Sequence, residues 1–176
     1  GRLFHPQYKK LTPTLSILKE VSVMSFREIN SEGLEIIKTY EGLELERYKC
    51  PGGVWTIGYG NTSNAMKFRK ITKEQAEDFL QEDLHEVYRY LSLITRNIPL
   101  NGNQWSALVS FVFNIGIGAF INSTMLRKLK ALDYEGASRE FGKWVYSKGK
   151  KLDGLIKRRE AERSLFLKEE VTDGKE

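Results

Sequence analysis

A long amphipathic pattern between residues 72 and 95 is the feature that most constrains the fold. Thr72 and Gln75 match a capping box, which predicts a helix start directly after Thr72. Apolar residues then recur three or four positions apart, the spacing that aligns side chains on one helix face. These residues are Ala76, Phe79, Leu80, Leu84, Val87, Tyr88, Leu91 and Ile94. The pattern therefore predicts one long helix that ends near Thr95.

The segments on either side complete an α+β architecture. Residues 104–115 are so apolar that they predict the central core helix, and Pro99, Asn101 and Gly102 separate this segment from the long helix. Asn30 predicts the N-cap of an earlier helix over about 31–40. Two strand-like segments are predicted at 45–49 and 54–60, joined by a turn at Cys50-Pro51-Gly52-Gly53. Three further helices are predicted at 123–131, 134–145 and 155–167. We expect a small β-hairpin lobe joined by the long helix to a helical lobe, with a cleft between them.

The length predicts one main domain with short additions at both ends. The chain has 176 residues and 40% hydrophobic content, enough for a substantial core. Residues 1–26 contain two prolines and little periodicity, so we predict an N-terminal appendage of unknown role. Residues 27–168 form the predicted domain, and residues 169–176 a polar tail.

The charge and cysteine content narrow the possible partners. A net charge of +5 favours anionic partners such as nucleic acid, anionic lipid or bacterial wall polymer. No aromatic-rich RNA motif, zinc-finger spacing or Gly-rich phosphate loop is present, which argues against nucleic acid. One cysteine excludes an intramolecular disulfide, and two histidines leave little for a metal site, so we expect neither metal nor cofactor. The sequence has no run of 18 apolar residues, and we expect no stable membrane insertion.

The segment from Tyr40 to Thr62 carries the chemistry. It reads YEGLELERYKCPGGVWTIGYGNT, and it places Glu41 at the end of a helix before a Gly-rich hairpin that returns Cys50 and Thr56 toward it. This layout is typical of a glycosidase cleft. Cleavage of a glycosidic bond requires a carboxylic acid that can protonate the leaving oxygen. Glu44 and Glu46 are chemically equal candidates on composition alone.

The spacing singles out Glu41 through a family resemblance. Eight residues separate Glu41 from Cys50, and five residues separate Cys50 from Thr56. This spacing resembles the catalytic signature of phage-type lysozymes, glycoside hydrolase family 24. Two further blocks, 107–133 and 141–167, also resemble that family, so the similarity spans roughly 29–167. The family usually has Asp where this chain has Cys50. The resemblance implies a lysozyme-like fold and a general-acid role for Glu41.

The roles of the other two signature residues stay open at this stage. Cys50 could act as the base, as a nucleophile, or only as a small apolar turn residue. A thiol has an ordinary pKa near 8.5, so a base role requires a positive neighbour, for which Arg47 and Lys49 are the local candidates. Thr56 could orient the attacking water or could be an ordinary strand residue.

The resemblance also implies residues that bind the saccharide. Phe113, Asn114, Phe120 and Ser123 match segments that flank the saccharide groove in the family, although core or cap positions are equally compatible with them. Family members place a basic residue of the last helical segment near the acid. Here Arg158 and Arg159 are the candidates, and Arg158 is the predicted site residue; an exposed charged helix face is the alternative.

We therefore predict a muramidase, an endolysin that hydrolyses the β-1,4 bond between N-acetylmuramic acid and N-acetylglucosamine in bacterial peptidoglycan. We expect a monomer that is made in the host cytoplasm and acts at the cell wall, in the periplasm, by an unknown export route. Two alternatives remain. A lytic transglycosylase needs only one acid, which the Cys50 replacement would allow, and a noncatalytic wall-binding module could keep the groove without turnover.

Overall fold

The computed structural model describes residues 26–170, and within that range the architecture is α+β as predicted. Helices α1 to α7 span Ser31–Glu41, Lys73–Thr95, Gly102–Ile115, Ile117–Ile121, Thr124–Lys130, Tyr134–Glu140 and Asp153–Leu167. Strands β1 to β4 span Glu44–Lys49, Trp55–Gly58, Tyr146–Ser147 and Lys150–Lys151. The predicted appendage at 1–26 and the tail at 169–176 lie almost wholly outside the described residues, so the domain limits stay predictions.

The apolar helix α3 is the centre of the core. Every residue from Trp105 to Ile115 is buried, and α1, α2 and α7 pack around it. Aromatic rings of three elements meet at its side: Phe111 contacts Phe141 with ring centroids 5.1 Å apart, and Phe141 contacts Phe166 of α7 at 5.7 Å. Edge-to-face pairs of this kind add to the free energy gained by burying the rings.

The two long helices begin where their caps predict. The Thr72 hydroxyl accepts from the Gln75 backbone N–H, and the Gln75 side chain accepts from the Thr72 backbone N–H. Asn101 and Gln104 form the same reciprocal pair at the start of α3. A capping box satisfies two backbone donors that a helix start leaves without partners. For this reason α3 begins two residues before the predicted position.

The hairpin is antiparallel and contains an irregularity in β1. Glu44 lies opposite Gly58 and Tyr48 opposite Thr56, so four steps along β1 face two steps along β2. Such a bulge bends its strand and lets it pair elsewhere. The Arg47 N–H donates to the Arg69 carbonyl (2.9 Å), so the bulged part of β1 pairs with the segment that precedes α2.

One prediction about the helical lobe is wrong, and two of its elements were not predicted. The helix expected over 134–145 ends at Glu140, and a short 3₁₀ turn, Phe141–Lys143, follows it. The Trp144 carbonyl accepts instead from Arg159 Nε (3.0 Å), a tertiary contact that no local pattern encodes. A second hairpin, β3–β4, was not predicted; its turn residues Lys148 and Gly149 have φ of 49° and 76°, as a type I′ turn requires. The short helix α4 was not predicted either.

Helix α1 sits against α3 at close range, and this contact positions the end of α1. The Asn30 side chain caps α1 at Gly33 N (2.9 Å), and the Asn30 backbone N–H donates to the Ser106 hydroxyl of α3 (2.9 Å). A Cβ atom on Gly33 would lie 2.8 Å from Ile29 Cγ1 and 2.9 Å from Ser106 Cβ. Only glycine allows this separation of the two helices. Among residues 26–170, no helix is long and apolar enough to cross a membrane.

We expect Gly33→Ala to destabilise the protein by about 1–3 kcal/mol, because the added methyl group overpacks the contact between α1 and α3. Alanine favours a helix by about 1 kcal/mol over glycine, so the loss appears despite better propensity. Urea unfolding measures the difference. Gly154→Ala in the first turn of α7 is the matched control, since its Cβ would meet nothing within 4 Å. Equal stability of the two variants would contradict this account.

Candidate active site

Glu41 is the last residue of α1, and its side chain is buried rather than on the surface. The residue is 3% exposed. Gly42 ends the helix with a φ of 70°, and its N–H donates to the Lys38 carbonyl (3.0 Å). The chain then turns directly into β1. The carboxyl group of Glu41 therefore lies inside the protein at the junction between the first helix and the hairpin.

Arg158 of α7 forms an ion pair with Glu41. Its Nη1 lies 2.9 Å from Glu41 Oε1, while Nε donates to Glu162 Oε1 at 3.0 Å and Nη2 to the Ser110 carbonyl at 3.2 Å. Burial disfavours the charged guanidinium, but the carboxylates of Glu41 and Glu162 outweigh that effect. The pKa of Arg158 is therefore raised above its ordinary value.

Glu162 and Arg159 complete this buried group. Glu162 Oε1 also accepts from the Ser110 hydroxyl (2.8 Å), and Glu162 Oε2 accepts from Arg159 Nη1. Arg159 donates further to Asn114 Oδ1 and lies over the Phe111 ring, 4.9 Å from its centroid. Burial and the adjacent Arg158 charge lower the pKa of Arg159 below its ordinary value. We call Glu41, Arg158, Arg159 and Glu162 the buried charge cluster.

The hairpin brings Cys50 and Thr56 together through one carbonyl group. Cys50 directly follows β1, and its N–H donates to the Val54 carbonyl at 2.9 Å. The Thr56 hydroxyl donates to the same carbonyl at 3.2 Å. Cys50 is 4% exposed and Thr56 is 1% exposed. The sequence separates these residues by five positions, and the turn makes them neighbours.

The two cations considered as partners of the thiol lie over an aromatic ring. Arg47 and Lys49 are 4.8 Å and 5.3 Å from the centroid of the Trp55 ring. Successive residues of a strand point to opposite faces, so Trp55 and Thr56 lie on opposite faces of β2. Arg47 and Lys49, which contact the Trp55 ring, therefore lie on the face opposite Thr56. The base role of Cys50 stays a prediction, and this arrangement does not add support to it.

A second polar group, about one turn before Glu41 on α1, ties the hairpin region to the long helix. Lys38 Nζ forms an ion pair with Glu77 Oε2 of α2 (2.7 Å), and the Tyr59 hydroxyl donates to Glu77 Oε1 (3.1 Å). Burial alone would raise the pKa of Glu77, but the hydrogen bonds from Lys38 and Tyr59 hold it below its usual range. One carboxylate of α2 thus links α1 with the residue that follows β2.

All five predicted substrate-binding residues are buried in the structure. Phe120 is fully enclosed, Ser123 caps α5 at Leu126 N (3.1 Å), and Asn114 accepts from Arg159. Phe113 lies in the core, and Arg158 pairs with Glu41 as described above. Contact of these side chains with substrate stays a prediction.

Sequence reasoning missed Glu162 and Ser110. Ser110 falls within an apolar helix, where a small polar residue gives no signal of its own. Glu162 was detectable, since it follows Arg158 by four residues and Arg159 by three, at positions flanked by the core residues Leu155 and Leu165. Charges on the buried face of a helix require partners, which is the pattern to look for.

Comparison with known proteins decides the family. The model of the phage lysozyme family matches residues 38–162, a span that includes Glu41, Cys50, Thr56 and the remainder of the buried charge cluster. The chain belongs to the phage lysozyme family. It is 51% identical over 142 residues to the endolysin of Acyrthosiphon pisum secondary endosymbiont phage 1, which covers 78% of this chain and 97% of that relative.

Other members of the family agree with this assignment in sequence and fold. The endolysin of Salmonella phage P22 is 40% identical over 145 residues, with 80% of this chain and 98% of the relative covered. The muramidase domain of SpmX from Asticaccaulis excentricus superimposes with a TM-score of 0.75 at 37% identity. That comparison covers 81% of this chain and 99% of the SpmX domain, so the lysozyme-like fold is confirmed.

We expect Arg158→Lys to destabilise this lysozyme by about 1–3 kcal/mol, because one ammonium group cannot reach the three acceptors that the guanidinium contacts. Arg163→Lys is the matched control on the exposed face of the same helix, and its effect should stay within about 0.5 kcal/mol. Urea unfolding at neutral pH measures both. A stable Arg158→Lys variant would show that the guanidinium contacts contribute little.

Proposed function

We propose that this chain is a muramidase in which Glu41 is the general acid. Membership of the phage lysozyme family makes it a glycoside hydrolase that acts on peptidoglycan. The observation that carries the residue assignment is the buried position of the Glu41 carboxyl, at the junction of α1 and the hairpin that bears Cys50 and Thr56. Of the three acidic residues of this segment, 41, 44 and 46, only Glu41 is buried.

In the proposed reaction, Glu41 supplies one proton to the leaving oxygen and one water molecule attacks the anomeric carbon. Glu41 donates its proton to the glycosidic oxygen, and the bond between that oxygen and the anomeric carbon of N-acetylmuramic acid breaks. The oxygen leaves as the 4-hydroxyl of N-acetylglucosamine. Water forms the new bond to the anomeric carbon and gives up a proton, and solvent restores the proton of Glu41.

The hairpin residues are proposed to handle that water. The Thr56 hydroxyl already donates to the Val54 carbonyl, so its oxygen is available to accept a hydrogen bond from water. A water held in this way would have its lone pairs directed toward the anomeric carbon. Cys50, linked to the same carbonyl, would take the proton as a thiolate base. In this proposal the shared carbonyl aligns both groups.

Action at the bacterial cell wall follows from the substrate. We propose that the periplasm is the site of action, that the chain is made in the host cytoplasm and that it works as a monomer. The surface charge is consistent with this setting, since a net charge of +5 attracts the protein to anionic wall material.

The products distinguish the proposed hydrolase from both alternatives. Purified peptidoglycan is incubated with the protein, and the released fragments are analysed by mass spectrometry. We expect reducing ends. Anhydro ends would identify a lytic transglycosylase, and folded protein that binds the wall without releasing fragments would identify a noncatalytic module.

We expect Glu41→Gln to lower the rate of wall lysis by about 10²- to 10⁴-fold, because the amide keeps the shape of the side chain but has no proton to transfer. Glu44→Gln is the matched control, since Glu44 is an exposed carboxylate three residues away. A turbidity assay on chloroform-treated Gram-negative cells measures both. Near-normal lysis by folded Glu41→Gln protein would sink the assignment.

Three substitutions at Cys50 separate a base from a structural residue. If the thiolate activates water, Cys50→Ser and Cys50→Ala should both lose most activity, because neither side chain can act as a base near neutral pH. Cys50→Asp should retain activity, and the limb of the pH profile that reports the base should move to lower pH.

The opposite result has a clear meaning. If Cys50→Ser lyses walls as fast as the parent at every pH, the thiol only fills space beside the turn. Thr56 and solvent would then have to position and deprotonate the water.

A further inference from the structure

Glu162 is the carboxylate at the centre of the buried charge cluster, and the reaction proposed above gives it no part. Its side chain is fully buried. It lies on α7, four residues after Arg158 and three after Arg159, so both guanidinium groups reach it from the same helix. A carboxylate so deeply buried requires compensation by charge or hydrogen bonds.

The contacts of Glu162 determine how Arg158 faces Glu41. Oε1 accepts from Arg158 Nε (3.0 Å) and from the Ser110 hydroxyl (2.8 Å), while Oε2 accepts from Arg159. The guanidinium of Arg158 is planar and rigid, so a bond at Nε fixes the direction of its other nitrogens. That direction points Nη1 at Glu41.

The charge balance of the cluster also depends on Glu162. The two arginines supply two positive charges in a site from which water is largely excluded. Glu162 offsets one of them. Without Glu162, Glu41 would be the only carboxylate facing two buried cations, and nearby cations favour the ionised form of a carboxyl group. A general acid must instead hold its proton until the leaving oxygen takes it.

We propose that Glu162 is a positioning residue for the general acid: it orients Arg158 toward Glu41, and it offsets one of the two positive charges that would otherwise keep Glu41 ionised. The inference rests on the proposed function, since it assumes that Glu41 is the acid.

Three neighbouring elements within residues 26–170 also contribute polar or titratable groups. Helix α3 contributes uncharged Ser110 and Asn114 to the cluster. On α1 itself, Lys38 is paired with Glu77 of α2. Cys50 is the titratable side chain of the adjoining hairpin turn.

The test follows the protonation of Glu41 by NMR, with ¹³C-labelled glutamate and the Glu41 carboxyl signal assigned by its loss in Glu41→Gln. In Glu162→Gln, we expect the midpoint of this titration to move to lower pH by about one pH unit or more. At a fixed pH well above the parental midpoint, kcat should fall about tenfold for each unit of movement.

Arg159 provides the reciprocal test. Arg159→Gln removes one positive charge and keeps Glu162, so the Glu41 midpoint should move to higher pH. The double substitution Glu162→Gln with Arg159→Gln leaves Arg158 and Glu41, so the cluster again has one arginine for each glutamate. The Glu41 midpoint of this double variant should return toward that of the parent. Glu160→Gln, on the exposed face of the same helix, is the matched control and should leave the midpoint unchanged.

The outcomes separate this inference from the proposed function. Near-UV circular dichroism checks that each variant is folded. If Glu162→Gln does not fold, the Glu41 midpoint of Arg159→Gln is compared with that of the double variant. A parental midpoint in Glu162→Gln, or movement in the same direction in both single variants, would overturn the positioning role. Near-normal lysis by Glu41→Gln would overturn the proposed function instead.

Discussion

The rest of the site depends on one constraint, which is that two carboxylates and two guanidinium groups are buried together where α1, α3 and α7 meet. A buried charge without a partner costs several kcal/mol, so these four side chains must lie within hydrogen-bonding distance of one another or of backbone groups. Glu41 enters from α1, Arg158, Arg159 and Glu162 from α7, and Ser110 of α3 lies between them. The cluster therefore fixes how the first and last helices sit on the core helix.

That constraint gives the carboxyl of Glu41, the proposed general acid, a rigid support. The first helix is held at its start by Asn30 and Gly33 against α3, and at its end by the ion pair between Glu41 and Arg158. About one turn before Glu41, Lys38 and the Tyr59 hydroxyl share the Glu77 carboxylate of the long helix. A site held on helices is more precise than one carried by loops, and precise placement of the acid is what proton transfer to a leaving group requires.

The hairpin has a different physical design. Cys50 and Thr56, the residues proposed to handle water, are joined through the Val54 carbonyl rather than through buried charge, and the cations of the hairpin lie over the Trp55 ring. A neutral thiol at Cys50 can be buried like a small apolar side chain, whereas the proposed thiolate base requires a positive neighbour. The lobe with the proposed acid is electrostatically constrained, whereas the lobe with the proposed base depends on turn geometry.

The sequence by itself determined the first three helices, the first hairpin and the family, because these are encoded over short distances along the chain. Period, caps and turn residues predicted α1, α2, α3 and the first hairpin within a few residues, and the spacing from Glu41 to Thr56 predicted the family. The tertiary structure alone decided what Arg158, Arg159 and Glu162 contact. It also ended the helix at Glu140, where the local pattern continued. Contacts across more than 100 residues, such as Glu41 with Arg158, depend on which faces pack together, and local propensity carries no information about that choice.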